Sequence, residues 1–379
     1  MNPLGACRLC SHGEVAVAFE LQGVPRFNHR LLRPDELKTD SGITLTVLCC
    51  PACGFVSVPA KLDEDYYADY VNVPSLSLQA RDFQAQQARE FVEQFELWGR
   101  TVLEVGCGDG YFLDALQRAG AVGVGLEPSN AQRAIARGRG LNVEEGILAG
   151  GRRLPQAPFS AFVTRQVFEH VEDMHDFLLT IRDNLADGAV GLVEVPHLEK
   201  LAAEARFFDF IPEHLNYFTR RTLALALQLA GFEVLEVVSV QDGEALRALA
   251  RWRALPTYES LEGRVESLRN DLRRFVAACK SKGQKVAFWG AGGKGLSMLA
   301  IAETSEVDLL VDADQSKHGL YTPVSHLEVR SPESLAEQGI GAVVVLAPAY
   351  EREIAAQLRS KWRFEGEIIL AGSSFLSFP

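Results

Sequence analysis

The sequence predicts an α/β chain in three parts: a small metal-binding module followed by two Rossmann-like domains. Three observations carry that prediction. Two C-x-x-C pairs lie near the N-terminus. Two long stretches alternate short apolar runs with amphipathic helical spacing, each around a glycine-rich loop. A charged amphipathic helix separates those stretches. The chain has 379 residues, more than one ordinary core accommodates.

Hydrophobic residues make up 47% and charged residues 23%, a globular balance, and no apolar run approaches bilayer length. A soluble protein with no membrane partner is expected. "MNPLGACRLCSHGEV" has neither the basic nor the apolar region of a secretory signal, so the cytoplasm is the expected compartment. The formal net charge of -12 argues against a nucleic-acid partner, which calls for a basic patch.

The cysteine pairs are Cys7 and Cys10 in "CRLC", and Cys50 and Cys53 in "CCPACG". Thiolates two residues apart share one tight turn and suit tetrahedral zinc, and Pro51 and Gly54 favour such a turn. Cys50 is preferred to Cys49 because it makes the two-residue spacing with Cys53, leaving Cys49, Cys107 and Cys279 as packed thiols. Four thiolates leave no open position, so the zinc is structural. The surrounding segment, residues 1–60, is too small for a core of its own and relies on the metal.

Residues 61–257 form the second part, with a helix from about Ser77 to Leu97 leading into it. "TVLEVG", "VGVGLE", "AFVTRQ" and "GLVEVP" read as buried strands of a parallel sheet. Between them Phe112, Leu113 and Leu116 share a helical face, as do Phe177, Leu178, Ile181 and Leu185. The third part, residues 258–379, begins with a connecting helix over 258–282 whose apolar face carries Leu261, Val265, Leu268, Leu272, Phe275 and Cys279. The runs "KVAFWG", "VDLLVD", "GAVVVLA" and "EIILAG" then give a second α/β domain.

In "LEVGCGDGYF" a strand runs into Gly106, Gly108 and Gly110 and then a helix, the glycines letting backbone approach a ligand. About twenty residues on, a second strand ends at Glu127, placed to accept from the two hydroxyls of a ribose. Glu104 and Asp109 beside the loop repel pyrophosphate and favour a cation. S-adenosylmethionine, with an ammonium and a sulfonium, is such a ligand, and E-x-G-x-G-x-G resembles the loop with which class I methyltransferases bind it. The resemblance spans residues 100–240 and implies that Cys107 and Pro128, beside these residues, and Gln166 to Phe168 also line the cofactor. A second loop, "FWGAGGKGLS", carries G-x-G-x-x-G spacing at Gly290, Gly292 and Gly295 with Asp312 about twenty residues on. Taken alone it fits a nicotinamide dinucleotide and keeps an oxidoreductase open.

Nearly the whole chain resembles the zinc-containing S-adenosylmethionine-dependent sugar C-methyltransferases, through "CRLC" with "CPACG", "EVGCGDG", "EHLNYF", "GAGGKG", and "SKHGLYTPV" followed by "VVVLAPAYEREI". The resemblance implies C-methylation of a nucleoside-diphosphate-linked keto-deoxysugar through an enolate formed by a base. It implies His214 as that base, Glu213 orienting it or binding a sugar hydroxyl, and His170 and Tyr70 in the same pocket. Asn216 and Tyr217 either bond to the substrate or satisfy their own loop. In the last domain it implies a nucleotide site rather than NAD, with Gly292 and Gly293 allowing close approach and Lys294 reaching a phosphate. Two positions depart from the family. Ile211 stands where a tyrosine precedes the His-Glu-His run, with Pro212 at its first histidine, and Pro348 and Ala349 stand where Trp-Asn is common. A different acceptor, with O- or N-methylation on the same scaffold, is therefore the alternative.

Overall fold

A computed structural model describes residues 5–28, 31–59, 77–254, 258–303 and 306–372. The chain divides into two units, Met1–Ala254 and Leu255–Pro379.

In the first unit the cysteine-rich segment folds as β1 (Ala16–Val24), β2 (Ile43–Cys49) and β3 (Val56–Ser57). The helix expected from Ser77 is α1 (Leu78–Gln94), and Ser77 caps it by accepting the Ala80 N–H at 3.3 Å. Strands and helices then alternate: β4 (Thr101–Val105), α2 (Tyr111–Arg118), β5 (Val122–Glu127), α3 (Asn130–Gly138), β6 (Val143–Glu145), β7 (Phe159–Arg165), α4 (Met174–Asp183), β8 (Leu185–Pro196) and α5 (Leu198–Ala203). After them come β9 (Asn216–Tyr217), α6 (Arg220–Leu229), β10 (Phe232–Val240) and β11 (Ala245–Trp252). Leu185, grouped in the sequence with the apolar face of α4, instead opens β8.

The main sheet runs β10-β11-β8-β7-β4-β5-β6. β4 lies between β5 and β7, parallel to both, so strand order reverses there and the carboxyl ends of these strands bound a crevice suited to a ligand. The four strands expected to be parallel, β4, β5, β7 and β8, are so, and at one edge β11 is antiparallel to both β8 and β10. The cause is local: β10 turns back through Gln241–Gly243, where Asp242 has φ 52°, and so short a connection joins only antiparallel neighbours.

A second sheet has the order β1-β2-β3-β9. Val56 pairs with Tyr217 and Ser57 with Asn216, and the Val58 N–H donates to the Leu215 carbonyl at 3.0 Å. The strand carrying "NY" of "EHLNYF" thus belongs to the sheet of the cysteine module. Aromatic packing joins the sheets from within, with Phe55 against Phe218 (centroids 5.5 Å apart) and Phe218 stacked on Phe168 (5.0 Å).

The second unit contains α7 (Glu259–Ser281), β12 (Lys285–Trp289), α8 (Gly293–Ala302), β13 (Leu309–Val311), β14 (Val329–Arg330), α9 (Ser334–Glu337), β15 (Ile340–Val345), α10 (Glu351–Ser360) and β16 (Glu367–Leu370). Its five strands form a parallel sheet in the order β14-β13-β12-β15-β16. On α7, Leu268, Leu272, Val276 and Cys279 are buried, whereas Leu261 near its start is exposed. Among the described residues no helix is long and apolar enough to cross a membrane.

Candidate active site and thiol cluster

At the carboxyl end of β4 the chain turns through Gly106, whose φ of 73° favours glycine. A Cβ there would meet Val167 Cγ2 at 2.3 Å, so the position is also fixed by the loop that follows β7. Glu104, one residue before the end of β4, is 3% exposed, and its Oε2 has no hydrogen-bond partner among the described residues. Burial pushes this carboxyl up to about 8, with the Arg165 charge opposing and Asp109 and Glu127 reinforcing the rise. A buried, unsatisfied carboxyl facing the crevice fits a cationic ligand group such as the ammonium of S-adenosylmethionine.

Glu127 closes β5. Its Oε2 accepts the Gly108 N–H at 2.9 Å and its Oε1 the Ser129 N–H at 2.8 Å, which stitches the glycine loop to the start of α3. Burial raises its pKa, and those two N–H groups oppose the rise. Each oxygen retains a second lone pair, so the carboxylate can still accept from ribose hydroxyls. Asp109 is paired with Arg139 at 3.0 Å.

Cys107 and Phe168, expected along the cofactor, both have buried side chains. The Cys107 thiol packs with Leu113, Ala136, Leu141 and Val143, and its N–H donates to the Leu126 carbonyl. Phe168 is wholly buried, stacked on Phe218 and on Phe177 (5.7 Å), so its ring belongs to the core. Gln166 is exposed at φ 53°, its N–H donating to the Glu194 carbonyl at 2.9 Å, and Pro128 is half-buried with its carbonyl accepting from Arg133.

A 3₁₀ turn after β7, Phe168–His170, brings His170 to the loop before β9. His170 Nδ1 lies 2.8 Å from the Glu213 carbonyl. A carbonyl only accepts, so Nδ1 carries a proton, and Nε2 is the nitrogen turned toward Glu169 Oε1, 4.0 Å away. The His170 and His214 rings meet edge to face with centroids 4.8 Å apart. Glu213 is 1% exposed, and its Oε1 accepts the Asn28 N–H at 2.5 Å, a partner the sequence did not suggest. Tyr70 lies outside the described residues.

Of the two roles open to Asn216 and Tyr217, the hydrogen bonds show the one that satisfies the loop. Asn216 Nδ2 donates to the carbonyls of Phe168 (3.1 Å) and Val171 (2.7 Å), strapping the 3₁₀ turn to β9. The buried Tyr217 hydroxyl accepts the Ile211 N–H at 2.9 Å and lies 3.3 Å from the Ile211 carbonyl. Burial raises the pKa of this phenol. It closes residues 211–217 and does not replace the phenol absent at Ile211.

Sequence reasoning passed over two buried carboxylates. Glu169 is 1% exposed, its Oε2 has no partner among the described residues, and burial pushes it up to about 8. Glu194, fully buried on β8, pairs with Arg165 at 2.8 Å and accepts from Gln87 Nε2 at 2.7 Å. A charge inside the apolar run "GLVEVP" was the available signal, since a buried strand keeps one only when it is paired.

In the cysteine module the sulfurs of Cys7, Cys10, Cys50 and Cys53 all lie within 4.8 Å of one another. Cys7 to Cys53 and Cys10 to Cys50 are both 3.7 Å. Zn–S bonds of about 2.3 Å in a tetrahedron place sulfurs about 3.8 Å apart, so the four thiols fit zinc. Burial raises the Cys53 thiol, and backbone and thiol hydrogen bonds hold Cys50 at about 7 despite its burial. Cys49, outside the cluster, is half-buried, and Cys107 and Cys279 are buried elsewhere.

In the second unit Gly292, Gly293 and Lys294 are exposed at the start of α8. A Cβ on Gly295 would meet the Gly290 carbonyl oxygen at 2.2 Å, so that glycine serves close strand–helix packing. The Asp312 carboxylate accepts the Ala291 N–H at 2.7 Å, the Asp314 N–H at 2.9 Å and Lys317 Nζ at 3.1 Å. The two N–H bonds repeat the pattern at Glu127, and Lys317 takes the second lone pair of Oδ2 while Oδ1 keeps one.

Two family models match in succession: a methyltransferase domain over residues 79–237 and a C-methyltransferase C-terminal domain over residues 236–371. C-methyltransferase NovU of Streptomyces niveus is 25% identical, with 93% of this chain and 92% of the relative aligned. A "Probable S-adenosylmethionine-dependent methyltransferase" of Mycolicibacterium smegmatis is 33% identical over 40% of this chain and 59% of its own length. A ubiquinone biosynthesis O-methyltransferase of Rhizobium johnstonii is 29% identical over 39% of this chain and 60% of its own. The chain thus joins an S-adenosylmethionine-dependent methyltransferase domain to a C-methyltransferase C-terminal domain.

Proposed function

We propose that the chain methylates a carbon of a nucleoside-diphosphate-linked keto-deoxysugar, with His214 removing the proton next to the ketone. The contact between His170 and His214 carries this reading: two imidazoles meet beside the methyl-donor crevice, and the tautomer of one is set by the Glu213 carbonyl. S-adenosylmethionine supplies an electrophilic methyl group on sulfonium. His214 would take the α-proton, the electron pair of that C–H bond would become the enolate, and the nucleophilic carbon would take the methyl group as its bond to sulfur breaks and leaves its electron pair on the sulfur. The imidazolium then gives its proton to solvent.

His170 holds the second side of the acceptor. Glu104 binds the ammonium of the donor and Glu127 its ribose hydroxyls. Cys7, Cys10, Cys50 and Cys53 hold a structural zinc, and Gly292, Gly293 and Lys294 take the phosphates of the nucleotide. In this reading no partner other than the small-molecule acceptor is needed, and the protein works in the cytoplasm.

The test is deuterium exchange at the α-carbon of a panel of nucleotide-linked keto-sugars in D2O with S-adenosylhomocysteine present. Wild type exchanges the α-proton, and His214→Asn loses exchange and methyl transfer by about 10²- to 10⁴-fold, the usual worth of a general base. Undiminished turnover in His214→Asn, or a product methylated on oxygen, overturns the reading.

A further inference from the structure

Apart from the thiol cluster, the described residues bring one other set of metal-ligating atoms together. A carboxylate oxygen of Glu169, a ring nitrogen of His170 and a ring nitrogen of His214 all lie within 4.8 Å of one another. Glu169 is 1% exposed, and its Oε1 lies 4.0 Å from His170 Nε2, too far for a hydrogen bond. Its Oε2 has no hydrogen-bond partner among the described residues. A buried carboxyl with an unsatisfied oxygen is costly unless something positive completes it.

The orientation of His170 adds an independent observation. Its Nδ1–H donates to the Glu213 carbonyl at 2.8 Å, and its Nε2 lies on the side of Glu169, 4.0 Å from Oε1. Metal-binding histidines are oriented in this manner, one nitrogen donating to a carbonyl or carboxylate and the other on the ion. The Asn216 strap then fixes the turn that carries both Glu169 and His170.

We propose that Glu169, His170 and His214 form a binding site for a divalent first-row metal ion of the Mn2+, Fe2+ or Co2+ class, separate from the four-thiol site. Two imidazoles and one carboxylate make a ligand set of intermediate hardness, and three protein ligands leave positions open for oxygen atoms of the acceptor. Bonds of about 2.0–2.2 Å require ligand atoms roughly 3–3.5 Å apart, so the three side chains close in by about 1 Å on loading. Glu169 and His170 are held on one turn, which leaves His214 as the group that moves. An ion on the His214 lone pair also removes the electron pair that proton abstraction uses, so loading and base catalysis exclude each other. The site itself does not depend on the base reading.

The test uses the full-length protein with zinc in the thiol cluster and titrates Mn2+ alone, following free Mn2+ by electron paramagnetic resonance. Wild type should bind one Mn2+ per chain, and Glu169→Gln should weaken it by more than about tenfold, as loss of a ligand does. Nitrogen hyperfine coupling should show two imidazoles in wild type and one in His214→Ala, which keeps the test valid if Glu169→Gln does not fold. Equal Mn2+ affinity in wild type and Glu169→Gln, or bound Mn2+ with no nitrogen coupling, overturns the proposal. Turnover separates the two readings. Turnover falling as the site fills agrees with both, whereas a rise with filling sustains the metal site and rejects His214 as the base.

Discussion

Glu213 Oε1 accepts the backbone N–H of Asn28 at 2.5 Å, across 185 residues of sequence, and the next residue is His214. The cysteine-rich end of the chain is thus bonded directly beside the candidate base. The donor side, by contrast, is built from β4, β5, their loops and the loop that follows β7. The two sides should therefore respond separately to substitution.

Glu104 tests the donor side. Its carboxyl is raised from 4.5 to about 8, so the folded chain holds a proton that the unfolded chain has lost. The stability contributed is complete below about 4.5 and disappears as pH rises through about 8. Binding an ammonium requires the carboxylate, so affinity for S-adenosylmethionine should rise with pH up to about 8, and binding at pH 7 should release a proton. Calorimetry in buffers of different ionisation enthalpy measures that release. Glu104→Gln should abolish it, weaken binding by roughly 1.5–3 kcal/mol, the worth of a charged hydrogen bond, and raise the thermal midpoint at pH 8.

Phe168 distinguishes core from cofactor wall. Its ring stacks on Phe177 and Phe218, so Phe168→Ala should cost about 3–5 kcal/mol in denaturant unfolding. The folded fraction should bind S-adenosylmethionine as wild type does. A variant of normal stability with weakened cofactor binding would return Phe168 to the cofactor wall.

Asn216 tests the strap. Asn216→Ala leaves the Phe168 and Val171 carbonyls without their donor, at a cost of about 1–3 kcal/mol. Steady-state kinetics should show kcat falling while the dissociation constant of S-adenosylmethionine stays constant. Asn216→Asp keeps the size but has no donor, and it should fail to restore kcat.

Metal removal tests the acceptor side. The turn from Cys50 to Gly54 leads directly into Val56, which pairs with Tyr217. Cys50→Ser, or stripping the thiol cluster with a chelator, should speed amide exchange at residues 215–218 and lower turnover by about tenfold or more, as loss of a supporting contact does. Affinity for S-adenosylmethionine should change little. Metal analysis should find one zinc per chain in wild type that is lost in Cys50→Ser.

The donor side was legible in the sequence because its signals are local. Strand, glycine loop, helix and the acidic end of the next strand recur at fixed spacing, and Glu104, Gly106 and Glu127 follow from it. The thiol pairs were legible for the same reason. The pairing of Val56 with Tyr217 was not, since two-residue strands far apart in sequence leave no periodic trace. Phe168 was open in the sequence because an apolar residue after a strand reads equally as core or as ligand wall. Glu169 was hidden because its meeting with His214 depends on two separate loops.

The sheet shared by β3 and β9 also limits how this enzyme can be recombined. A graft of residues 79–237 from a relative would carry its own β9 but confront the resident β3, a pairing that neither parent had tested. Residues 43–59 and 211–218 are therefore to be exchanged together. A transplant that respects that seam should keep its activity, and one that cuts across it should retain only the methyl donor.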